Sequence, residues 1–485
     1  MIINQFPRGG DYVIFKTVSA PDRSGIALLS GFHPLHPPIP LMASSTSAIF
    51  PVPDVSDVTG WLKWAGFRFD PFGPLDAAAD PHLSEYLVRH HIFARVWGDE
   101  ISWVFAPAGG GKTALRISVM HACWVGLETN RPFPIPYVPP FLAWGHAHPS
   151  AEDHLEALAR AGAVALFLTL AYRPHWFLRL DTFGRQRVAG ILSGNLPGPL
   201  LVYLEQCHAT GSPHALSAVL DPAFVLRNPP DPETTREWCE ALEATCGEPF
   251  PSSPAERWAE LQEVLRSLLA FPAVYILMDG LDGAPETIAD PAAIARCLEP
   301  LLQWAEEWSE QRIFLKAFLP AEAQSLLEGR FPDGFVPARV STIRWTPDLL
   351  AEVIRRRVYV ATEGAFGSLD ALASPALRDI ETLLAKTVYP LPREMLVLSR
   401  RLIEERIRRG GEGLFTLEDL EAAIHYTRYA KRLPSSPSGS TSPPAATSAV
   451  PTATLPGAMP TCPRRSEERQ WTEPSAPPGP TASGP

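Results

Sequence analysis

The chain has 485 residues, 46% hydrophobic and 20% charged, proportions that exclude wholesale disorder and a fibrous architecture and leave room for two or three domains. A formal charge of -11 excludes a protein whose main task is to coat nucleic acid, because phosphate neutralisation needs an excess of Lys and Arg. Proline is the departure from average usage: thirteen of the 53 prolines fall within 434–485, among Ser, Thr, Ala and Gly.

Residues 1–58 are rich in Pro and Ser, have no sustained hydrophobic period and read as a weakly structured extension. Their first ten residues, MIINQFPRGG, lack the basic and apolar blocks of a secretory signal. The pattern tightens from Thr59, and acidic and proline punctuation introduces a helix-like stretch over Pro81–Val96. Ile101–Ala106, ISWVFA, is an apolar run of the buried-strand type, leading through PAGGGKT into ALRISVMHACW at helical spacing. Runs of the same strand type recur at Val274–Met278, Ile313–Leu319 and Val340–Trp345, with Phe133–Phe141 as a further strand. Apolar strands separated by helical segments predict an α/β fold with a parallel sheet.

The residues between the first helix and Val274 are mostly helix-like: Ala151–Tyr172, Phe183–His208 and Pro254–Ala270. They predict a helical insertion over about 142–270, within a sheet domain spanning 59–345. The apolar run Ala161–Tyr172 falls short of the roughly 20 residues of a membrane span and reads as a buried helix. Beyond Trp345 come helices over Pro347–Thr362, Pro375–Thr387, Arg393–Arg409 and Thr416–Tyr429, the last with a capping pair in Thr416 and Asp419. They predict a helical lid over 346–433. The tail 434–485 carries too few large apolar side chains to offset its ordering entropy and is expected to be disordered. No repeat of 20 to 50 residues runs through the chain. The six cysteines show no C-x-x-C pair and no zinc spacing, so reduced thiols and a cytoplasmic location are expected.

The strongest motif is Ala106–Thr113, APAGGGKT. Successive glycines let a backbone fold tightly and aim its N–H groups at phosphate oxygens, while the helix that follows presents its positive end. In this reading Ala108, Gly109, Gly110, Gly111 and Ala114 cradle phosphate, Lys112 neutralises it, and the Thr113 hydroxyl ligates magnesium. Ala106 stands where the Walker A pattern has its first glycine, which is tolerable with a negative φ. The second motif is Val274–Asp282, VYILMDGLD, an apolar strand ending in acids, with Asp279 placed to hold a magnesium ion. No N-K-x-D guanine signature occurs, so ATP and Mg2+ are the expected ligands.

The segment LMDGLDG resembles the acidic strand end of the STAND and NACHT class of AAA-related P-loop ATPases. Separately, FDPFGPLDA, FAPAGGGKTALR and FLKAFLP are similar to motifs of an uncharacterised bacterial P-loop ATPase family. The resemblance implies a P-loop NTPase sheet in which Asp279 serves magnesium and Asp282 activates the attacking water. It also implies a strand between the glycine-loop strand and the acidic strand, carrying a polar sensor for which Lys316 is the candidate. Arg393, after Pro392, matches the second sensor at the start of a lid helix, and Asp70-Pro71-Phe72 matches a segment flanking adenine. The final Glu of the acidic pattern is Gly283 here, which bears on hydrolysis.

The basic runs Arg355–Arg357 and Arg400–Arg409 read as solvated helix faces, because Glu404 and Glu405 interrupt the second. The expected function is an Mg-dependent ATPase switch acting on a partner protein or within a homo-oligomer. A nucleotide-binding scaffold with negligible turnover is the alternative, and a small-molecule kinase ranks last for want of an acceptor motif.

Overall fold

A computed structural model describes residues 57–432, except 125–129, 147, 225, 227, 246–252, 289, 332–337 and 412. The tail 434–485, and all but the last two residues of the extension expected over 1–58, lie outside the described residues.

Five strands form one all-parallel sheet: β1 (Ile101–Ala106), β2 (Phe133–Tyr137), β3 (Val274–Met278), β4 (Ile313–Pro320) and the more polar β5 (Ala338–Thr342), in the order β2-β3-β4-β1-β5. Every residue of β1, β3 and β4 is buried, as strands covered by helices on both faces require. The register pairs Val104 with Phe318 and Ser341, and Ile276 with Ile135 and Leu315. The protein is thus α/β, as its pattern predicts. β5 ends at Thr342 rather than Trp345, because the Trp345 indole turns away to donate to Gly110 O at 2.9 Å.

Helix α1 (Lys112–Trp124) follows β1 directly through the glycine loop. Between β2 and β3 lie the longer helices α2 (Ala151–Tyr172), α3 (Thr182–Asn195), α4 (Leu200–Thr210), α5 (Pro232–Glu243) and α6 (Pro254–Glu263). Helix α2 has 22 residues and is long and apolar enough to cross a membrane, but its most apolar window is 78% buried inside the protein. It packs on β2 and α6, and Gly162 permits the approach, since a Cβ there would overlap Leu261 Cδ2. The helix expected over Phe183–His208 is two helices, broken at Leu196–Pro199 where two prolines withhold their N–H groups. Cys123, Cys207, Cys239 and Cys297 are free and buried, while Cys246 and Cys462 lie outside the described residues.

Helix α7 (Pro291–Leu302) follows β3, and after β5 come α8 (Pro347–Ala361), α9 (Ile380–Val388), α10 (Pro392–Arg408) and α11 (Leu417–Arg432). Helix α9 starts five residues later than its sequence suggests. The Asp370 carboxylate takes the N–H groups of Asp379 and Ile380 at 2.8 and 3.0 Å, which fixes the start there. Thr416 and Asp419 do cap α11 reciprocally. The helical stretch expected over Pro81–Val96 reduces to two single turns, Leu83–Tyr86 and Phe93–Val96, with irregular chain between them. Neither turn has a side-chain N-cap, and the chain between them lines the pocket described below. The short helix Val58–Trp64 packs on α10, and Arg68 N–H donates to Ala361 O at the end of α8, so the first described segment is stitched onto the C-terminal helices.

Candidate functional site

The loop between β1 and α1 is built by local sterics. Gly109 and Gly111 have φ of +74° and +93°, a region that side chains rarely adopt. Gly110 is fixed by crowding instead: a Cβ there would stand 2.8 Å from Pro107 O and 2.9 Å from Ala106 Cβ. Ala106, in place of the pattern's first glycine, is the last residue of β1 and is absent from the positive-φ residues, so its methyl group brings no backbone strain.

Lys112 opens α1 with its side chain folded back beneath the loop. It is 4% exposed, and its Nζ donates to Ala106 O at 2.9 Å and Pro107 O at 3.1 Å. The same Nζ stands 2.8 Å from Asp282 Oδ2, in the turn after β3. One helical turn beyond Lys112, Arg116 donates its Nε–H to Asp279 Oδ2 at 3.2 Å, and both residues are buried. Two cations of α1 therefore meet two carboxylates from the end of β3. Arg116 is a site residue the sequence reading missed; its only signal is the i, i+4 spacing from Lys112, because its partner lies 163 residues away.

A cleft opens beside this quartet, with an empty volume of about 1070 Å³ when the solvent at its mouth is included. Gly109, Gly111, Lys112, Thr113 and Ala114 line it, together with Asp282 and Arg393. Leu83, Leu87, Val88, Val353 and Leu396 add apolar side chains to its lining. Of the expected cradle, Ala108 is exposed on the outer turn and Gly110 is buried, and neither lines the cleft. Gly110 serves instead as the acceptor for Trp345, whose ring also closes on Gly111. Arg393 lies at the start of α10, its backbone N–H directed at Gly109 O at 3.4 Å and its Nε–H at Leu75 O at 3.3 Å.

The two acids take different places. Asp282 lines the cleft, whereas Asp279 is 2% exposed, does not line it, and is held through its own N–H by Tyr137 O. Asp279 Oδ1 is a buried oxygen without a hydrogen-bond partner. A hard cation ligated by oxygen suits an orphaned carboxylate oxygen, but Asp279 meets the cleft and the Thr113 hydroxyl there only if it turns away from Arg116.

Three expectations are corrected. Lys316 pairs in register with Ser102, near the start of β1, and its Nζ donates to Gly98 O, Glu100 O and Ser102 Oγ at the end of the sheet opposite the glycine loop. Burial pushes it down to about 7, and it is a structural lysine rather than a sensor. Asp70, Pro71 and Phe72 do not line the cleft; Asp70 caps its own turn through the Phe72 and Gly73 N–H groups, and it is the following Pro74–Ala77 that reach the cleft. Arg357, expected on a solvated face, is 5% exposed and lines the cleft. The Arg400–Arg409 cluster is laced to acids, with Arg400 on Asp70, Arg401 on Glu404 and Glu405, and Arg408 on Glu405.

Comparison of the chain with protein-family models, with curated proteins and with solved structures finds no match in any of the three. The functional reading therefore rests on the geometry of the cleft.

Proposed function

We propose that this cleft binds ATP with magnesium and that the chain is a P-loop ATPase of the AAA-related kind, using hydrolysis as a conformational switch. One observation carries the reading: a glycine loop at the C-terminal end of an interior strand, closed by a buried lysine that meets at 2.8 Å an acid from the turn after β3, one strand removed. The strand order supports it, since β4 lies between the glycine-loop strand and the acid-bearing strand as the resemblance implies.

In this reading the triphosphate lies against the N–H groups of the loop and the N-terminus of α1, where partial positive charge accumulates. Lys112 adds a full charge on the β and γ phosphates. Thr113 and, once turned from Arg116, Asp279 would hold magnesium, which would neutralise developing charge on the phosphates. As Lys112 turns to phosphate, Asp282 is released to orient the attacking water and accept its proton. That water's oxygen forms the new bond to the γ phosphorus as the bond to the β-γ bridging oxygen breaks, leaving ADP and phosphate. Arg393, with its guanidinium at the mouth, links the γ end to α10, so loss of that phosphate loosens the helical lid.

Gly283 favours a second reading, a nucleotide-binding scaffold with negligible turnover, because no side chain stands where the resemblance expects its final acid. Steady-state phosphate release measured beside equilibrium ATP binding separates them. Turnover that is lost in Asp282→Asn while ATP still binds supports the switch, and binding without turnover in the parent supports the scaffold.

A further inference from the structure

One cation on α1 acts on two carboxylates. Arg116 uses only its Nε–H for Asp279, at 3.2 Å, and among the described residues its two terminal nitrogens have no hydrogen-bond partner. The second carboxylate is Asp221, in the turn that closes the short helix His214–Leu220 of the insertion. Its Oδ1 takes the Ala223 N–H at 3.0 Å, and no ion pair engages it among the described residues. The charge of Arg116 nevertheless reaches it: burial raises the Asp221 pKa, and Arg116 is the largest influence lowering it. Contacts further along α1 fix this turn in place. The His121 Nε2 lies 3.3 Å from Ala223 O, and the Trp124 and Phe224 rings meet edge to face at 5.2 Å.

The two acids compete for one guanidinium. Asp279 reaches the cleft only by leaving Arg116, and a buried arginine left without a carboxylate is costly. The cost is smallest if the guanidinium passes to an acid already within its field, and its unengaged terminal nitrogens are the donors such a transfer uses. We propose that Arg116 exchanges Asp279 for Asp221 when magnesium nucleotide binds, so that Asp221 is a positioning residue for the metal carboxylate and the turn 221–224 is where the helical insertion registers the nucleotide. The inference rests on the nucleotide reading above and adds to it the element that responds. Bonding of Arg116 to Asp221 ties α1 to a turn that also packs on α2, through Phe224 against Tyr172 at 6.1 Å. Occupancy at the start of α1 is thereby passed to the core helix of the insertion.

The test measures equilibrium ATP binding to the full chain in magnesium and in EDTA, and reads the ratio of the two affinities. Asp221→Asn keeps an oxygen for the Ala223 N–H and removes the charge. We expect it to bind ATP in EDTA within about twofold of the parent, while its magnesium-to-EDTA ratio falls about tenfold. In an Arg116→Met background, with no guanidinium to pass on, the same substitution should change the ratio by less than about twofold. Amide hydrogen exchange over residues 214–224 gives a reading that needs no Arg116 variant: magnesium ATP should slow it in the parent and not in Asp221→Asn. An unchanged ratio in a folded Asp221→Asn overturns the inference. Equal losses in both backgrounds, the result of a general charge effect, overturn it too, as does exchange that magnesium ATP slows alike in parent and variant. A parent whose ATP affinity is indifferent to magnesium overturns it while leaving the phosphate site standing. A parent that binds no ATP overturns the nucleotide reading and this inference with it.

Discussion

Lys112 Nζ and Asp282 Oδ2 stand 2.8 Å apart, joining the first residue of α1 to the turn after β3 in the lining of the cleft. Any phosphate that takes Lys112 must displace this carboxylate or bind beside it. Asp282→Asn is therefore expected to bind ATP at least as tightly as the parent, with a gain of a few fold from the removed like charge. Its hydrolysis is expected to slow by about 10² to 10⁴, the usual contribution of a general base. Single-turnover kinetics at saturating ATP checks both halves, and a variant that hydrolyses at the parent rate places water activation elsewhere.

Asp279 has a different partner, and its removal should read out as stability. Asp279→Ala takes from the buried Arg116 the carboxylate it donates to and leaves it only the nearby charge of Asp221, so unfolding in denaturant should show a loss of about 3 kcal/mol. Adding Arg116→Met to that variant should recover most of the loss, because the uncompensated charge goes with it. A double variant no more stable than Asp279→Ala would show that the pair is not the source of the cost.

How much of this site is legible in the sequence depends on the distance over which each residue acts. The glycine loop, Lys112 and the apolar strands act locally: spacing and the strand, loop, helix order suffice to place them. The division of labour between Asp279 and Asp282 does not follow from spacing, because it depends on Arg116 and Lys112 projecting from another element. Arg357 is the clearest case. On its own helix it belongs to a run of three arginines and reads as solvated, and only the folding of residues 71–86 back onto α8 buries it. The same tertiary demand explains why Pro81–Val96 yields two turns rather than a helix.

The loop geometry leads to a steric prediction. Gly111→Ala puts a side chain at φ +93° and brings a Cβ to 3.2 Å from the Trp345 ring, so it should destabilise the protein by about 1 to 2 kcal/mol and weaken ATP binding. Gly98→Ala also carries a positive φ, but a Cβ there meets nothing within 4 Å. It should affect stability alone. Thermal melts with and without ATP distinguish the two, and equal nucleotide affinity in both variants would contradict the role given to Gly111.

Acid should weaken the helical region through His154 in α2. This residue is fully buried, its Nδ1 lies 2.5 Å from the Tyr137 hydroxyl, and burial pushes its pKa down to about 4. The unfolded chain takes up the proton near pH 6.5, the folded chain only near 4, so stability declines as pH falls between these values, by on the order of 3 kcal/mol in all. Denaturant titrations from pH 7 to 4.5 on the parent and on His154→Gln check it. The expected result is a shallower pH dependence in the variant, and parallel curves would assign the acid sensitivity to other groups.

The most direct test of the account is equilibrium binding of magnesium ATP to the parent and to Lys112→Ala, each shown to be folded by circular dichroism. The substitution removes buried charge-assisted hydrogen bonds to phosphate, and the Asp282 side chain it leaves behind is 26% exposed and can hydrate, so the fold should survive. The account predicts saturable binding at one site in the parent and a loss of about a hundredfold in the variant, the roughly 3 kcal/mol expected of hydrogen bonds to a charged group. A folded Lys112→Ala that binds ATP as the parent does, or a parent that does not bind it, would contradict the account.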